Sequence, residues 1–312
     1  MNQGKRSGTS MRAAWLLVCL LSWGTLAAQQ PWAYWRFENT SSENQISGAK
    51  ANIRPYMFKT TPVSEFEPPD PEIKSNPKGE KGYLSFSPET AETIYLERRT
   101  FGQGITLEFF FRFDKSQAFD DCRLFYTQDY SIYITMGMRG LLFNTTVKTA
   151  SGEKVPQHFF IPLDGSDRKS IGYYLDNKWH QMVFKFDALS GKKEIWVDGK
   201  LADGFSTVHE VKGETICASN NCVGQLVFNF QKSSGYRFIG DVDEVVIYDQ
   251  FIDEDIHIQH LYQFWENEPF AFKFSRSQYG DRVLKIKEIS TRKLKSTNLQ
   301  LTYEPTEYPN GL

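Results

Sequence analysis

From Trp32 to Tyr248 apolar and polar positions alternate, and glycine, proline, asparagine or aspartate breaks the pattern at roughly 8–12-residue intervals. The clearest run is Gly104–Phe113, where Ile105, Leu107, Phe109, Phe111 and Phe113 take every second place. Successive side chains of a strand point to opposite faces, so this spacing predicts a strand with one apolar face in a core. Trp32–Phe37 sets Ala33, Trp35 and Phe37 against Trp32, Tyr34 and Arg36. The stretch Asn177–Leu201 predicts two strands and two turns. Met182, Phe184 and Phe186 share a face, Ser190-Gly191 turns the chain, and Glu194–Val197 returns. Asp198-Gly199 then closes a hairpin, because both residues tolerate positive φ. Further strands are predicted at 83–86, 93–96, 121–126, 130–136, 141–147, 159–161, 171–175, 225–230 and 241–248. Helical spacing is nearly absent before Asp253. Asp253–Trp265 predicts a short helix, with Asp253 at its N-cap and acidic residues in its first turn. The expected fold class is all-β: two antiparallel sheets face to face in a jelly-roll β-sandwich, followed by a short C-terminal helix.

Three segments depart from this pattern. Residues 60–82 hold Pro62, Pro68, Pro69, Pro71 and Pro77, which remove backbone donors and predict an irregular wall or lid beside the sandwich. The composition changes after Glu268. Val283–Lys287 and Leu299–Tyr303 read as strands, and 303–312 reads as a linker toward a further domain. At the other end, Lys5, Arg6 and Arg12 precede the apolar run Ala13–Leu21 and the small residues around Ala27-Ala28. Residues 1–28 are read as a signal peptide, with the mature protein secreted, periplasmic or at the cell surface. The apolar run is too short to cross a bilayer.

Two stretches carry a family resemblance. Asp176-Asn177-Lys178-Trp179-His180, an alternating strand, a turn and Ile195-Trp196-Val197-Asp198-Gly199-Lys200 form the first. The second is Phe238-Ile239-Gly240-Asp241-Val242-Asp243-Glu244-Val245, running on to Tyr248. Together with the opening strand that ends in Phe37-Glu38-Asn39, they resemble the laminin-G-like (concanavalin A-like) jelly-roll family. The resemblance implies one domain over residues 29–267 with an extension over 268–312. It implies little about function, since this fold hosts lectins, adhesion modules and glycan enzymes. It also implies a structural calcium at Asp243, with Glu38 and Asn39 as neighbours. Six to eight oxygens would be required, so carbonyls or waters must complete the set. Laminarinase-type glucanases of this family carry a Glu-x-Asp-x-x-Glu strand. Here Asp241 and Asp243 share a face, Glu244 is expected to point the other way, and the second glutamate is missing.

Charge and composition narrow the choice. Net charge is -2 and the pI is near 6.3, so there is no bulk attraction to nucleic acid. Aromatic residues make up 15% of the chain, enough to supply ring platforms for sugar faces as well as a core. Trp196, Tyr173, Tyr174 and Tyr236 are the candidate ligand-binding rings, and the loops 60–82, 151–157 and 211–222 are candidate rims. Cys217 and Cys222 can close a small disulfide loop across Asn220-Asn221, leaving Cys122 as a buried thiol. His257 and His260 stand at i, i+3 on the predicted helix and are expected on its solvent side. No catalytic residue is assigned. The expected function is an exported, non-catalytic recognition module for carbohydrate or a cell-surface partner. The alternatives are a spacer domain of a larger glycan-active envelope protein and a glycoside hydrolase of the laminarinase type.

Overall fold

The computed structural model describes residues 29–70, 72–76, 78–87, 93–114, 122–137, 139–163, 170–218, 223–228 and 238–296. The signal-peptide segment, Tyr236, Cys222 and the strand expected at 299–303 lie outside them.

Two antiparallel sheets are stacked. The first has eight strands among the described residues. Its path is β12 (Lys200–Val208), β11 (Lys192–Val197), β10 (Asp176–Asp187), β5 (Gly104–Asp114), β15 (Gly240–Tyr248), β3 (Glu80–Phe86) and β2 (Phe58–Pro62), with β1 (Ala33–Trp35) also paired to β15. The second has seven: β13 (Thr215–Ile216), β8 (Gly140–Lys148), β7 (Ile132–Gly137), β6 (Cys122–Thr127), β14 (Val223–Phe228) and β4 (Ile94–Thr100), with β9 (Lys154–Pro162) paired to β8. Two helices follow, α1 (Glu254–Trp265) and α2 (Arg276–Ser296).

The period-two pattern decides which residues meet between the sheets. Ile105, Leu107, Phe109, Phe111 and Phe113 of β5 join Met182, Phe184 and Phe186 of β10 and Ala33, Trp35 and Phe37 in one buried cluster. The second sheet contributes Phe125, Ile134, Leu141 and Phe143 from its inner face.

The other face of the eight-stranded sheet is also covered. Tyr34, Tyr83, Phe110, Trp179, Val246 and Tyr248 form a second cluster with residues of α1 and α2. Phe66 and Ile73 of the proline-rich segment join it, as does Phe270. Phe264 of α1 stacks on Phe110 with ring centroids 3.7 Å apart, and Phe66 stacks on Trp179 at 5.4 Å. The first sheet is therefore a middle layer, with helices and a loop on its far side.

Several expectations change. Residues 171–175 hold a 3-10 turn, Ile171–Tyr174, in place of a strand. The proline-rich segment begins inside β2, whose Thr60 and Thr61 pair with Gly82 and Lys81. Part of the expected rim 151–157 belongs to β9. Val283–Lys287 is helical, because Tyr279, Val283 and Ile286 are buried at three- and four-residue intervals while Leu284 is exposed. His257 and His260 are buried, since α1 is enclosed between the sheet and the segment that follows it. His260 Nδ1 lies 2.8 Å from Glu108 Oε2, and its ring stacks on Phe270 at 4.4 Å. Gln181 Nε2 donates to Glu108 Oε1 and to the His257 carbonyl, both at 2.6 Å. This buried polar network fastens α1 to β5 and β10. Asp253 occupies the helix N-cap, although its side chain makes no cap hydrogen bond.

Candidate functional site

At the start of β10 the register against β5 shifts between Asp176 and Trp179. Asn177 there has φ 64°, a left-handed conformation that asparagine tolerates better than most residues. The bulge brings Asp176 back beside His180, with Oδ1 2.9 Å from Nε2. On the other side of the ring, Asp198 Oδ2 lies 2.8 Å from Nδ1. Asp198 stands at φ 50° and Gly199 at φ 67° in the tight turn between β11 and β12. The second oxygen of Asp198 accepts the Gln181 amide at 3.0 Å, which locks the turn to β10. Burial works against a charged His180, but Asp198 and Asp176 outweigh it and raise the imidazolium pKa to about 9.

These groups border a cavity of about 400 Å3. Its wall consists of Pro69, Asp70, Tyr173, Tyr174, Asp176, Lys178, His180, Val197, Asp198 and Lys200. The 3-10 turn presents the two tyrosines. Tyr174 is buried edge-on to His180 at 5.4 Å, while Tyr173 is 41% exposed and meets Tyr174 edge-on at 5.1 Å. The proline-rich segment closes the opposite side, where Lys200 Nζ donates to Asp70 Oδ2 at 2.7 Å. Lys178 Nζ reaches Glu67 at 2.9 Å. The lining holds three carboxylates, Asp70, Asp176 and Asp198, and three cations, Lys178, Lys200 and protonated His180. It is balanced in charge and rich in hydrogen-bonding groups, with one open aromatic face.

The structure brings Tyr173 and Tyr174 together in this cavity. Trp196 lies elsewhere. It is 6% exposed, donates through Nε1 to Glu194 Oε2 at 2.8 Å and meets the His257 ring at 4.9 Å, so α1 covers it and it offers no open face. Pro69 and Asp70 belong to the expected rim 60–82, whereas Asp176, Lys178, His180, Val197, Asp198 and Lys200 were legible only as fold signals, in the two halves of the hairpin motif.

The carboxylates of β15 have a different role. A bulge at Glu244, with φ 49°, turns its side chain to the same side as Asp243, contrary to simple alternation. Both are fully buried and face Lys81, whose Nζ is 3.6 Å from Asp243 Oδ2 and 3.4 Å from Glu244 Oε1. Glu244 also accepts Tyr34 Oη at 2.6 Å and Arg36 Nε at 3.2 Å. Burial raises the Asp243 carboxyl far above the usual carboxylate range, and the Lys81 charge offsets this only in part. Glu38 Oε2 accepts the Gly82 amide at 2.8 Å, and Asn39 is exposed. The Lys81 ammonium thus stands beside Asp243, the residue at which the resemblance implies calcium. Among the described residues no group of three or more histidine, cysteine, aspartate or glutamate side chains is placed to hold a metal ion. Asp241 is paired with Arg112, at 2.7 Å to Nε and 2.5 Å to Nη2.

With this geometry in view, the chain can be set beside known structures. It matches the binding domain of Paraclostridial Mosquitocidal Protein 1 with a TM-score of 0.52 and 13% identity, over 76% of this chain and 53% of that one. It also matches the botulinum neurotoxin serotype G binding domain, with a TM-score of 0.46 and 12% identity over 75% of this chain and 51% of that one. The binding domain of botulinum neurotoxin serotype D/C VPI 5993 gives 0.46 and 13%, over 77% and 53%. The chain spans about half the length of each. At such identities the first of these likenesses shows the fold alone, a jelly-roll-like β-sandwich, and does not single out the laminin-G-like branch. No family model and no curated protein sequence matches the chain.

Proposed function

We propose that the protein is an exported, non-catalytic recognition module that binds carbohydrate through the cavity between Tyr173 and the Asp70–Lys200 pair. One observation carries this reading. An exposed tyrosine face borders a cavity of about 400 Å3 whose ionic groups are matched in sign, with Asp70 tied to Lys200 and both Asp176 and Asp198 tied to His180. Such a lining suits a neutral polyhydroxylated ligand, which stacks on a ring and hydrogen-bonds to many small dipoles. A strongly charged ligand would have to break the Asp70–Lys200 or Asp176–His180–Asp198 pairing. The cavity also lies within the usual size range of small-ligand sites.

The absence of an assigned catalytic role has its own support. Asp241 is held by Arg112 and Asp243 is buried under Lys81, so neither carboxylate is set to flank a glycosidic bond. The structure matched with a TM-score of 0.52 is described as a binding domain, which agrees with a module whose work is attachment. Export rests on the leader read in residues 1–28. No helix among the described residues is long and apolar enough to cross a membrane.

A glycan array tests the reading. The wild type is expected to be retained on at least one glycan class. Tyr173→Ala should weaken that binding about tenfold, roughly 1.4 kcal/mol. No retention on any glycan, or Tyr173→Ala binding as tightly as wild type, would sink the proposal. A cell-surface protein would then be the partner to seek.

A further inference from the structure

The helix layer over the eight-stranded sheet holds one group that the fold leaves unmatched. His257 is the fourth residue of α1 and is 0% exposed. Neither of its ring nitrogens has a hydrogen-bond partner among the described residues. The Trp196 ring stands edge-on to it at 4.9 Å, and Lys185 Nζ lies 5.3 Å from the centroid of that same ring. A buried imidazole without partners costs free energy when neutral and far more when charged.

The charged and titratable groups on the elements packed around the ring are Lys185 from β10, Lys192 and Glu194 from β11, Glu108 from β5, Glu254, Asp255 and His260 from α1, and Lys287 from α2. Every carboxylate among them is already engaged. Glu194 holds Lys185 at 3.2 Å and Lys192 at 2.6 Å. Glu108 holds His260 at 2.8 Å, and Glu254 and Asp255 hold Lys287 at 2.9 Å and 2.5 Å. A proton on His257 would add an unpaired cation in the first turn of a helix, where the backbone amides already carry partial positive charge. Burial first, and then the charges of Lys185, His260 and Lys287, hold its pKa well below the ordinary 6.5. An undocked α1 takes up that proton more readily than a docked one. Docking is therefore fully favoured above about pH 6.5 and weakens as pH falls below it.

The same helix supports the wall of the Tyr173 cavity. A Cβ added at Gly199 would stand 3.1 Å from Leu261 Cδ2 and 3.5 Å from Ile258 Cγ1, so the turn that presents Asp198 and Lys200 rests directly on α1. Phe66 meets the rings of Phe264 and Trp265 at 5.9 Å and 6.4 Å, and the Asn76 amide donates to the Trp265 carbonyl at 3.1 Å. The segment that supplies Pro69 and Asp70 is thus fastened to α1 as well. The sandwich has separate support, in the pairing of β5 with β10 and in an inner core to which α1 contributes nothing.

We propose that His257 is an acid-sensitive latch: its protonation undocks α1 from the eight-stranded sheet and loosens the cavity wall, while the two sheets stay folded. The device does not depend on what the cavity binds.

Hydrogen–deuterium exchange of the full chain at about pH 7.5 and about pH 5, corrected for intrinsic rates, tests this. In the wild type, protection of residues 254–265 and 197–200 should fall at least about tenfold at the lower pH, while residues 105–113 and 182–186 stay protected. His257→Gln and His257→Leu, neutral at both pH values, should keep their protection. His209→Gln should respond as the wild type does. His209 is the control because burial and the charges of Lys193 and His158 lower its pKa to about 4, and its amide bonds the Gly191 carbonyl, at the turn between β10 and β11. Exchange of the His257 ring C2 hydrogen reads that residue's own titration in the wild type, and its midpoint should coincide with the opening of α1. That comparison decides the matter even where a variant fails to fold. Unchanged wild-type protection, loss of residues 105–113 together with α1, equal loss in folded His257 variants, or midpoints that differ would each overturn the proposal.

Discussion

His180 shows how one side chain serves both fold and site. It is buried, yet it bridges Asp176 and Asp198 and thereby joins the start of β10 to the turn after β11. Its folded pKa, raised to about 9, stands above the ordinary histidine value near 6.5. The bridge therefore stabilises fully below about pH 6.5 and is lost as pH rises through about 9, an effect of roughly 3 kcal/mol. Denaturant unfolding of wild type and His180→Gln across pH 6–10 checks this. The wild type should lose stability over that window and the variant should not, whereas parallel curves would show that His180 is not the group responsible. The sequence placed His180 in a strand motif but did not reveal the bridge. The reason is local: a bulge at Asn177 and a left-handed turn at Asp198 converge on one ring, and alternation carries no record of either. Tyr173 and Trp196 illustrate the same limit, because both read as aromatic candidates and only one escapes cover by a helix.

Elements were legible where a single period governed them. The strands of the core announced themselves through Ile105–Phe113 and Met182–Phe186, and α1 through its capping position and acidic first turn. Val283–Lys287 reads as a strand because five residues are too few to separate the two periods, whereas Tyr279, Val283 and Ile286 together follow a helix. The bulge at Glu244, which gathers Asp243, Glu244 and Lys81, was likewise invisible to a strict period of two. The attachment of α1 depends most on the Phe264–Phe110 stack, backed by the Lys81 ammonium 4.0 Å from the Phe264 centroid. Phe264→Ala should cost about 3–5 kcal/mol in chemical denaturation. A loss below about 1 kcal/mol would mean that the helix layer is held by something else.

At the scale of the molecule, a sandwich has two outer faces and a rim, and here each has a distinct fate. Helices and the proline-rich segment close one face, the other presents tyrosines, and the rim holds the charge-balanced cavity. The proline-rich segment was legible as a wall beside the sandwich, and its Pro69 and Asp70 do form one side of that cavity. Which face it would cover was not legible, since that depends on Phe66 meeting Trp179 across more than a hundred residues of chain. Hydrogen–deuterium exchange, with and without the glycan best retained on the array, bears most directly on the claim that the rim cavity is the binding site. Exchange should slow at residues 173–180 and 197–200 when the glycan is present, and Tyr173→Ala should abolish the effect. Unchanged exchange there, or protection that persists in Tyr173→Ala, would contradict it.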